Sequence, residues 1–337
     1  MRFAASLMAA VCLVACGSSG GEGSKGAEQG GHGPEAAVAR ALSHPTTDAV
    51  ATTVAPQLSP PPRERLAAGV HEHQVQVDGH TRRWSTVVPP RSDGALPTGL
   101  LVVLHGVGGR GADMRSSGFE PLAGEHGAVV AYPDAVGGAW NDGRPGADPV
   151  VPGVAVDDDI RFLRLLIEET SARTGADVRR VAVAGFSNGA VMAGKVACEL
   201  ADRVTAVAVI GGTAGQGFEQ SCRPARPVAV MVVAGSNDRT VPYAGGRVAD
   251  WGTRRRGFVA PVDDFFAFWG AQAGCSSIQP LPALPQVSAA RGADCRAGAA
   301  VVRYRVNGGG HEWFRPPGLD TTKVVWDFVT GRFAAST

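Results

Sequence analysis

From about residue 70 onward the sequence predicts an α/β fold: a mostly parallel sheet with flanking helices, led by an antiparallel hairpin. Short, wholly apolar runs recur, as strands buried on both faces require. Helical stretches with apolar residues three, four and seven apart fall between them. The strand–helix alternation persists to the C-terminus, which implies right-handed crossovers and a single sheet.

Val70–Val77 and Arg83–Val88 alternate polar and apolar residues, and Asp78-Gly79 between them is a hairpin signal. Leu100–Leu104 and Ala128–Tyr132 are continuous apolar runs, the first ending at His105-Gly106 and the second at Pro133. Asp157-Asp158-Asp159 opens a helix whose Ile160, Leu163 and Ile167 form one stripe, with the acidic residues suited to its N-terminus. Val181–Ala184, Val204–Ile210, Val228–Ala234 and Ala300–Val306 read as strands. Ala190–Leu200, Asp263–Ala273 and Thr321–Phe333 read as helices.

Composition narrows the class. The 337 residues hold 32 basic and 31 acidic side chains, a net charge of +1. That balance, with no Lys/Arg run, lacks the electrostatic footprint of a nucleic-acid binder. Beyond the extreme N-terminus no apolar run approaches the roughly 18 residues needed to span a bilayer. Phe3–Ala15 behind Met1-Arg2 has the form of a short secretory leader. Leu13-Val14-Ala15-Cys16-Gly17 resembles the bacterial lipobox, which implies a lipidated Cys16 and a membrane tether. The Gly/Ser/Ala/Pro-rich stretch that follows has no hydrophobic period and reads as a flexible leash. The expected organisation is a leader (1–15), a lipid-anchored linker (16–65) and one catalytic domain (66–335).

Cys12 belongs to the leader and Cys16 to the lipobox, leaving Cys198, Cys222, Cys275 and Cys295. An even number in an exported domain suggests disulfides. Three pairings are possible. Cys198–Cys222 and Cys275–Cys295 close the shortest loops and are favoured. No Cys-x-x-Cys or His cluster accompanies them, so no metal site is expected.

Gly185-Phe186-Ser187-Asn188-Gly189 matches G-x-S-x-G, as does Gly17-Ser18-Ser19-Gly20-Gly21 in the leash. Only the first lies between a strand and a helix, where a nucleophile elbow must lie. A Ser hydroxyl needs a base, and the base an orienting acid. Only one His follows Ser187: His311, just past the last strand. Asp238 follows the strand Val228–Ala234 in the same sense and is the preferred acid. Asp250, Asp263, Asp264 and Asp294 are its rivals. Oxyanion donors are expected from the N–H of Asn188 and, in the loop after Leu104, of Val107. His105 precedes the Ser in the chain and reads as a loop brace.

These motifs, with Leu104-His105-Gly106, Tyr132-Pro133-Asp134, Ala139-Trp140-Asn141-Asp142, Val241-Pro242-Tyr243 and Gly308-Gly309-Gly310-His311-Glu312-Trp313, occur in an order and spacing that resemble the secreted poly(3-hydroxybutyrate) depolymerase and feruloyl esterase-like enzymes (carbohydrate esterase family 1 type). The resemblance covers about residues 70 to 335. It implies an α/β-hydrolase fold and cofactor-free ester hydrolysis by Ser187, Asp238 and His311. It also implies a substrate cleft lined by Trp140; Trp313 is a second candidate to stack on an acyl group or sugar. The chain departs from the pattern at Trp313-Phe314-Arg315-Pro316-Pro317, where many members carry Pro-Gly, and at Val107, where some depolymerases carry Cys. The expected partner is a polysaccharide-linked ester or a polyester. A serine peptidase of the same fold, or a binding protein on an inactive hydrolase scaffold, are the alternatives.

Overall fold

The computed structural model describes residues 64–90, 97–151, 155, 158–250, 252–282, 284–296 and 299–334. The leader, Cys16 and nearly all of the leash lie outside them. The strands are β1 (Gly69–Val77), β2 (His80–Val88), β3 (Leu100–Leu104), β4 (Val129–Pro133), β5 (Val181–Phe186), β6 (Ala206–Ile210), β7 (Ala229–Gly235), β8 (Gly246–Arg247), β9 (Phe258–Val259), β10 (Ser277–Pro280), β11 (Val287–Ala293) and β12 (Val301–Val306). The helices are α1 (Phe119–His126), α2 (Asp158–Thr174), α3 (Asn188–Glu199), α4 (Val262–Gln272) and α5 (Thr321–Ala334).

Ten strands form one sheet in the order β1-β2-β4-β3-β5-β6-β7-β12-β11-β10. The six from β4 to β12 run parallel, and antiparallel pairs close both edges. The hairpin and the parallel centre are as the sequence predicts. The antiparallel strands β10 and β11 at the far edge, and helix α1, carry no clear pattern in the sequence. β10 is exposed at every position and α1 spans only eight residues, so neither gives a periodicity to read.

Alternation along the central strands divides the core. Leu100, Val102 and Leu104 face α2, α3 and α4, packing with Phe162, Met192 and Trp269. Leu101 and Val103 face α1 and α5, packing with Phe119, Val325 and Trp326. Each strand residue thus feeds one of two apolar layers, and the sheet is buried on both faces. The disulfides Cys198–Cys222 and Cys275–Cys295 form as expected, closing separations of 24 and 20 residues. No helix among the described residues is long and apolar enough to cross a membrane.

Two of the three acidic residues at the start of α2 do more than favour a helix end. The described helix begins at Asp158, and Asp158 and Asp159 are both buried. Asp159 pairs with Arg82 of β2, their side chains 3% and 1% exposed, and its second oxygen accepts the Asn141 N–H at 2.6 Å. The Arg82 guanidinium also lies 4.1 Å over the Phe162 ring. Removing one partner of such a pair leaves a buried charge uncompensated. Arg82→Met is therefore expected to lower unfolding free energy by about 3–5 kcal/mol, read as a fall in the denaturant midpoint.

His73 of β1 stacks on Trp84 at 4.8 Å, and burial, then the Arg173 and His71 charges, lower its pKa to about 4. Burial likewise lowers the pKa of His105. The unfolded chain takes up these protons near pH 6.5, whereas folded His73 resists until about 4. Stability is therefore full above roughly pH 6.5 and declines as pH falls toward 4. Urea midpoints at pH 7 and pH 5 should show the loss, and His73→Phe should reduce it.

Candidate active site

The candidate residues converge at the C-terminal ends of β3, β5, β7 and β12, where an open parallel sheet opens its crevice. Ser187 sits between β5 and α3 at φ 59° and ψ −117°, a strained conformation for a residue with a side chain. Its neighbours permit it. A Cβ on Gly185 would lie 2.0 Å from the Gly189 carbonyl oxygen, and one on Gly189 would lie 2.5 Å from that of His105. The glycines of the motif are thus steric requirements of the turn.

His311 Nε2 lies 2.9 Å from Ser187 Oγ, and its Nδ1 lies 2.7 Å from Asp238 Oδ2. The other Asp238 oxygen accepts the backbone N–H groups of Thr240 and Val241, both at 2.8 Å. The carboxylate side chain is 1% exposed and the His311 side chain 18%. Two loops bring them together. A Cβ on Gly235 would sit 2.3 Å from the Gly309 carbonyl oxygen, so Gly lets the loops after β7 and β12 touch. The Asn237 amide then donates to Gly309 and the Gly308 amide to Ser236 Oγ. Of the acids open to choice in the sequence, Asp238 is the one in contact with His311; Asp263 instead accepts from Tyr243 and Arg303.

Asn188 begins α3, where the first amides have no partner within the helix. Val107 lies in the turn after β3, in which the Gly108 and Gly109 amides are bound to Gly138 and Gly106. Val107 and Asn188 line one cavity of about 280 Å³. His105 is 1% exposed and braces this loop: it accepts the Ala135 N–H on Nε2 at 3.0 Å, which puts its proton on Nδ1, 2.7 Å from the Gly106 carbonyl. Neither the 280 Å³ cavity nor a larger one of about 770 Å³ beside the Cys198–Cys222 disulfide includes Ser187 or His311 in its lining.

The two tryptophans take different places. Trp140 is in the 280 Å³ cavity wall, but the residue is only 1% exposed and its indole N–H donates to the His105 carbonyl. Trp313 is partly exposed and does not line this cavity. Its N–H donates to Thr322 Oγ1, and its ring supports Phe186, which in turn packs on His311 at 5.1 Å.

A buried polar strut joins the site to this wall. Asn188 Oδ1 accepts the Trp140 N–H at 2.7 Å, and its Nδ2 donates to the Trp140 carbonyl at 3.0 Å and to Asp142 at 2.5 Å. Asp142 is held in turn by Arg144 Nε at 2.9 Å. The side chain after the nucleophile thus fixes the Trp140–Asp142 segment. Sequence reasoning identified Asn188 only for its backbone amide, because partners 46 and 48 residues away leave no local pattern.

Comparison with known proteins agrees with this architecture. No family model matches the chain. It is 29% identical to feruloyl esterase B of Piromyces equi over 244 residues, 70% of this chain and 42% of that protein. It is also 29% identical to the Nocardia uniformis subsp. tsuyamanensis protein named as the esterase NocK, covering 85% of this chain and 90% of that one. Among solved structures, acetyl xylan esterase from Aspergillus awamori superposes with a TM-score of 0.52 at 15% identity, over 79% of this chain and 99% of the other. The chain has the α/β-hydrolase fold and is similar in sequence to proteins named as esterases.

Proposed function

We propose that this chain is an exported serine carboxylic-ester hydrolase, tethered to a membrane through Cys16 and working through an acyl-enzyme on Ser187. The observation that carries the chemistry is the unbroken line from Ser187 Oγ through His311 to Asp238, at 2.9 and 2.7 Å, on a strained elbow. Ser187 attacks the ester carbonyl while His311 Nε2 takes its proton. Asp238 holds the imidazole with its other proton on Nδ1 and balances the charge that develops. The Asn188 and Val107 amides receive the oxyanion. His311 then returns the proton to the leaving oxygen, and water releases the acid by the same route.

Feruloyl esters and acetyl esters of polysaccharides are the substrates that the names of the similar proteins suggest. Polyhydroxybutyrate-type esters follow from the motif resemblance. Export is supported by the N-terminal leader pattern and by the two disulfides, which an oxidising compartment permits. The test is hydrolysis of p-nitrophenyl acetate, p-nitrophenyl butyrate, methyl ferulate and 3-hydroxybutyrate oligomers by the purified protein. Turnover of at least one is expected, and the preferred acyl group identifies the branch. Inertness toward all of them would overturn the reading.

A further inference from the structure

The parallel pairing of β3 with β5 ends at Leu104 and Gly185, short of the loop that carries Val107 and the elbow that carries Asn188. Sheet register therefore does not set one oxyanion amide against the other. The segment from Ala135 to Arg144 grips both carriers. On the loop side, the Ala135 amide donates to His105 Nε2 at 3.0 Å and the Trp140 indole N–H to the His105 carbonyl at 2.9 Å. The Gly108 amide donates to the Gly138 carbonyl at 2.7 Å, so these bonds fall on both sides of Val107. A Cβ on Gly106 would come 3.2 Å from Ser187 Cβ, and the loop thus runs against the nucleophile.

On the helix side, the Asn188 side chain holds Trp140 by both backbone groups, accepting its N–H at 2.7 Å and donating to its carbonyl at 3.0 Å. The second Nδ2 proton goes to Asp142 Oδ2 at 2.5 Å. A carboxylate only accepts, so the Asn188 amide cannot be reversed. Asp142 Oδ1 in turn accepts the Arg144 backbone N–H at 3.1 Å and its Nε at 2.9 Å. Asn188 and Trp140 are each 1% exposed, and Asp142 and Arg144 8%. Hydrogen bonds this far from water are strong, and breaking one strands a desolvated polar group, so the connection is stiff.

Trp140 belongs to both grips, through its backbone to α3 and its indole to the loop after β3. We infer that Trp140, locked by Asn188 and Asp142, is a positioning residue that sets the spacing of the Val107 and Asn188 amides. The inference rests on the ester-hydrolase reading, in which these two amides receive the oxyanion. Such donors act by standing ready about 2.7–3.1 Å from where the oxyanion forms. A displacement near 1 Å costs on the order of 100-fold in rate. The trigonal ground state uses that spacing less than the tetrahedral anion does, so the role belongs to kcat and not to KM.

The test uses the full chain, with p-nitrophenyl butyrate as substrate and 1,1,1-trifluorohexan-2-one as inhibitor. Ser187 Oγ adds to the ketone carbon while its proton passes to His311 Nε2, which leaves a tetrahedral oxyanion like that of the reaction. Trp140→Phe removes the indole donor. Asp142→Asn sets an NH₂ against either Asn188 Nδ2 or the Arg144 donors. Each variant is expected to lower kcat roughly 10- to 100-fold, with KM held within about twofold. Acylation and deacylation both pass through an oxyanion, so both steps slow together. The inhibition constant of the ketone should rise by the factor by which kcat falls. Thermal melts identify a variant that does not fold, and the other then carries the test. A rise in KM with kcat held would make Trp140 a substrate contact and overturn the inference. Unchanged kinetics, or a fall in kcat with ketone affinity intact, would also overturn it, while ester turnover by the unmutated chain leaves the hydrolase reading standing. An unmutated chain that neither hydrolyses the ester nor binds the ketone would overturn the hydrolase reading and this inference with it.

Discussion

Ser187→Ala is expected to reduce kcat on any ester the protein hydrolyses by roughly 10⁵–10⁶-fold while leaving the fold intact. Ser187 is 5% exposed and its Oγ pairs with His311 Nε2, so its removal deletes the nucleophile and little packing. The elbow itself is kept by backbone contacts: the Ser187 amide donates to Ile210 at 2.9 Å, and the Ser187 carbonyl accepts from Ala190 and Val191. His311→Ala should cost about as much, and the double variant little more. Nucleophile and base act as one unit, and what remains is the work of the oxyanion donors and binding. Steady-state kinetics of the two single variants and the double, beside thermal melts, check this. Losses that multiply in the double variant would show that the two residues act independently.

Asp238→Asn should lower kcat by roughly 10⁴-fold with KM nearly unchanged. The reason lies in the second oxygen. Asp238 Oδ1 accepts two backbone amides, from Thr240 and Val241. An Asn at this position must keep its carbonyl oxygen there, which turns its NH₂ toward His311 Nδ1. That nitrogen then has to accept, so the imidazole proton moves to Nε2, and the atom facing Ser187 Oγ at 2.9 Å can no longer take its proton. The pH profile gives a second readout: a tautomer block changes the rate without unfolding the protein. A variant retaining more than a tenth of the activity would mean that Asp238 does not set the tautomer.

Much of this site was legible from the sequence because each part rests on a local steric or topological rule. Ser187 stood out by its two glycines and its place between strand and helix. His311 was the only His after it, and Asp238 followed a strand end in the same sense. The disulfides followed from short closures. What could not be read depends on long-range contacts. The Asn188–Trp140–Asp142–Arg144 strut joins residues far apart in sequence, and no periodicity marks it. Asp159 read as a helix-end acid, yet it serves a buried Arg82 from the hairpin. The contacts of Trp313 with Phe186 and Thr322, like those of the strut, join residues whose proximity no local pattern announces. At the far sheet edge, β10 and β11 escaped notice because their residues are short, small or exposed.

The central claim is that Ser187 is the nucleophile activated by His311. Labelling with diethyl p-nitrophenyl phosphate tests it most directly. An activated Ser Oγ displaces p-nitrophenolate from phosphorus and keeps the diethylphosphoryl group as a stable adduct. One adduct per chain is expected, mapping by peptide mass to Ser187, together with loss of esterase activity in proportion. Ser187→Ala should take up none, and His311→Ala should label far more slowly. An adduct on another residue, or labelling of Ser187→Ala at the unmutated rate, would contradict the account.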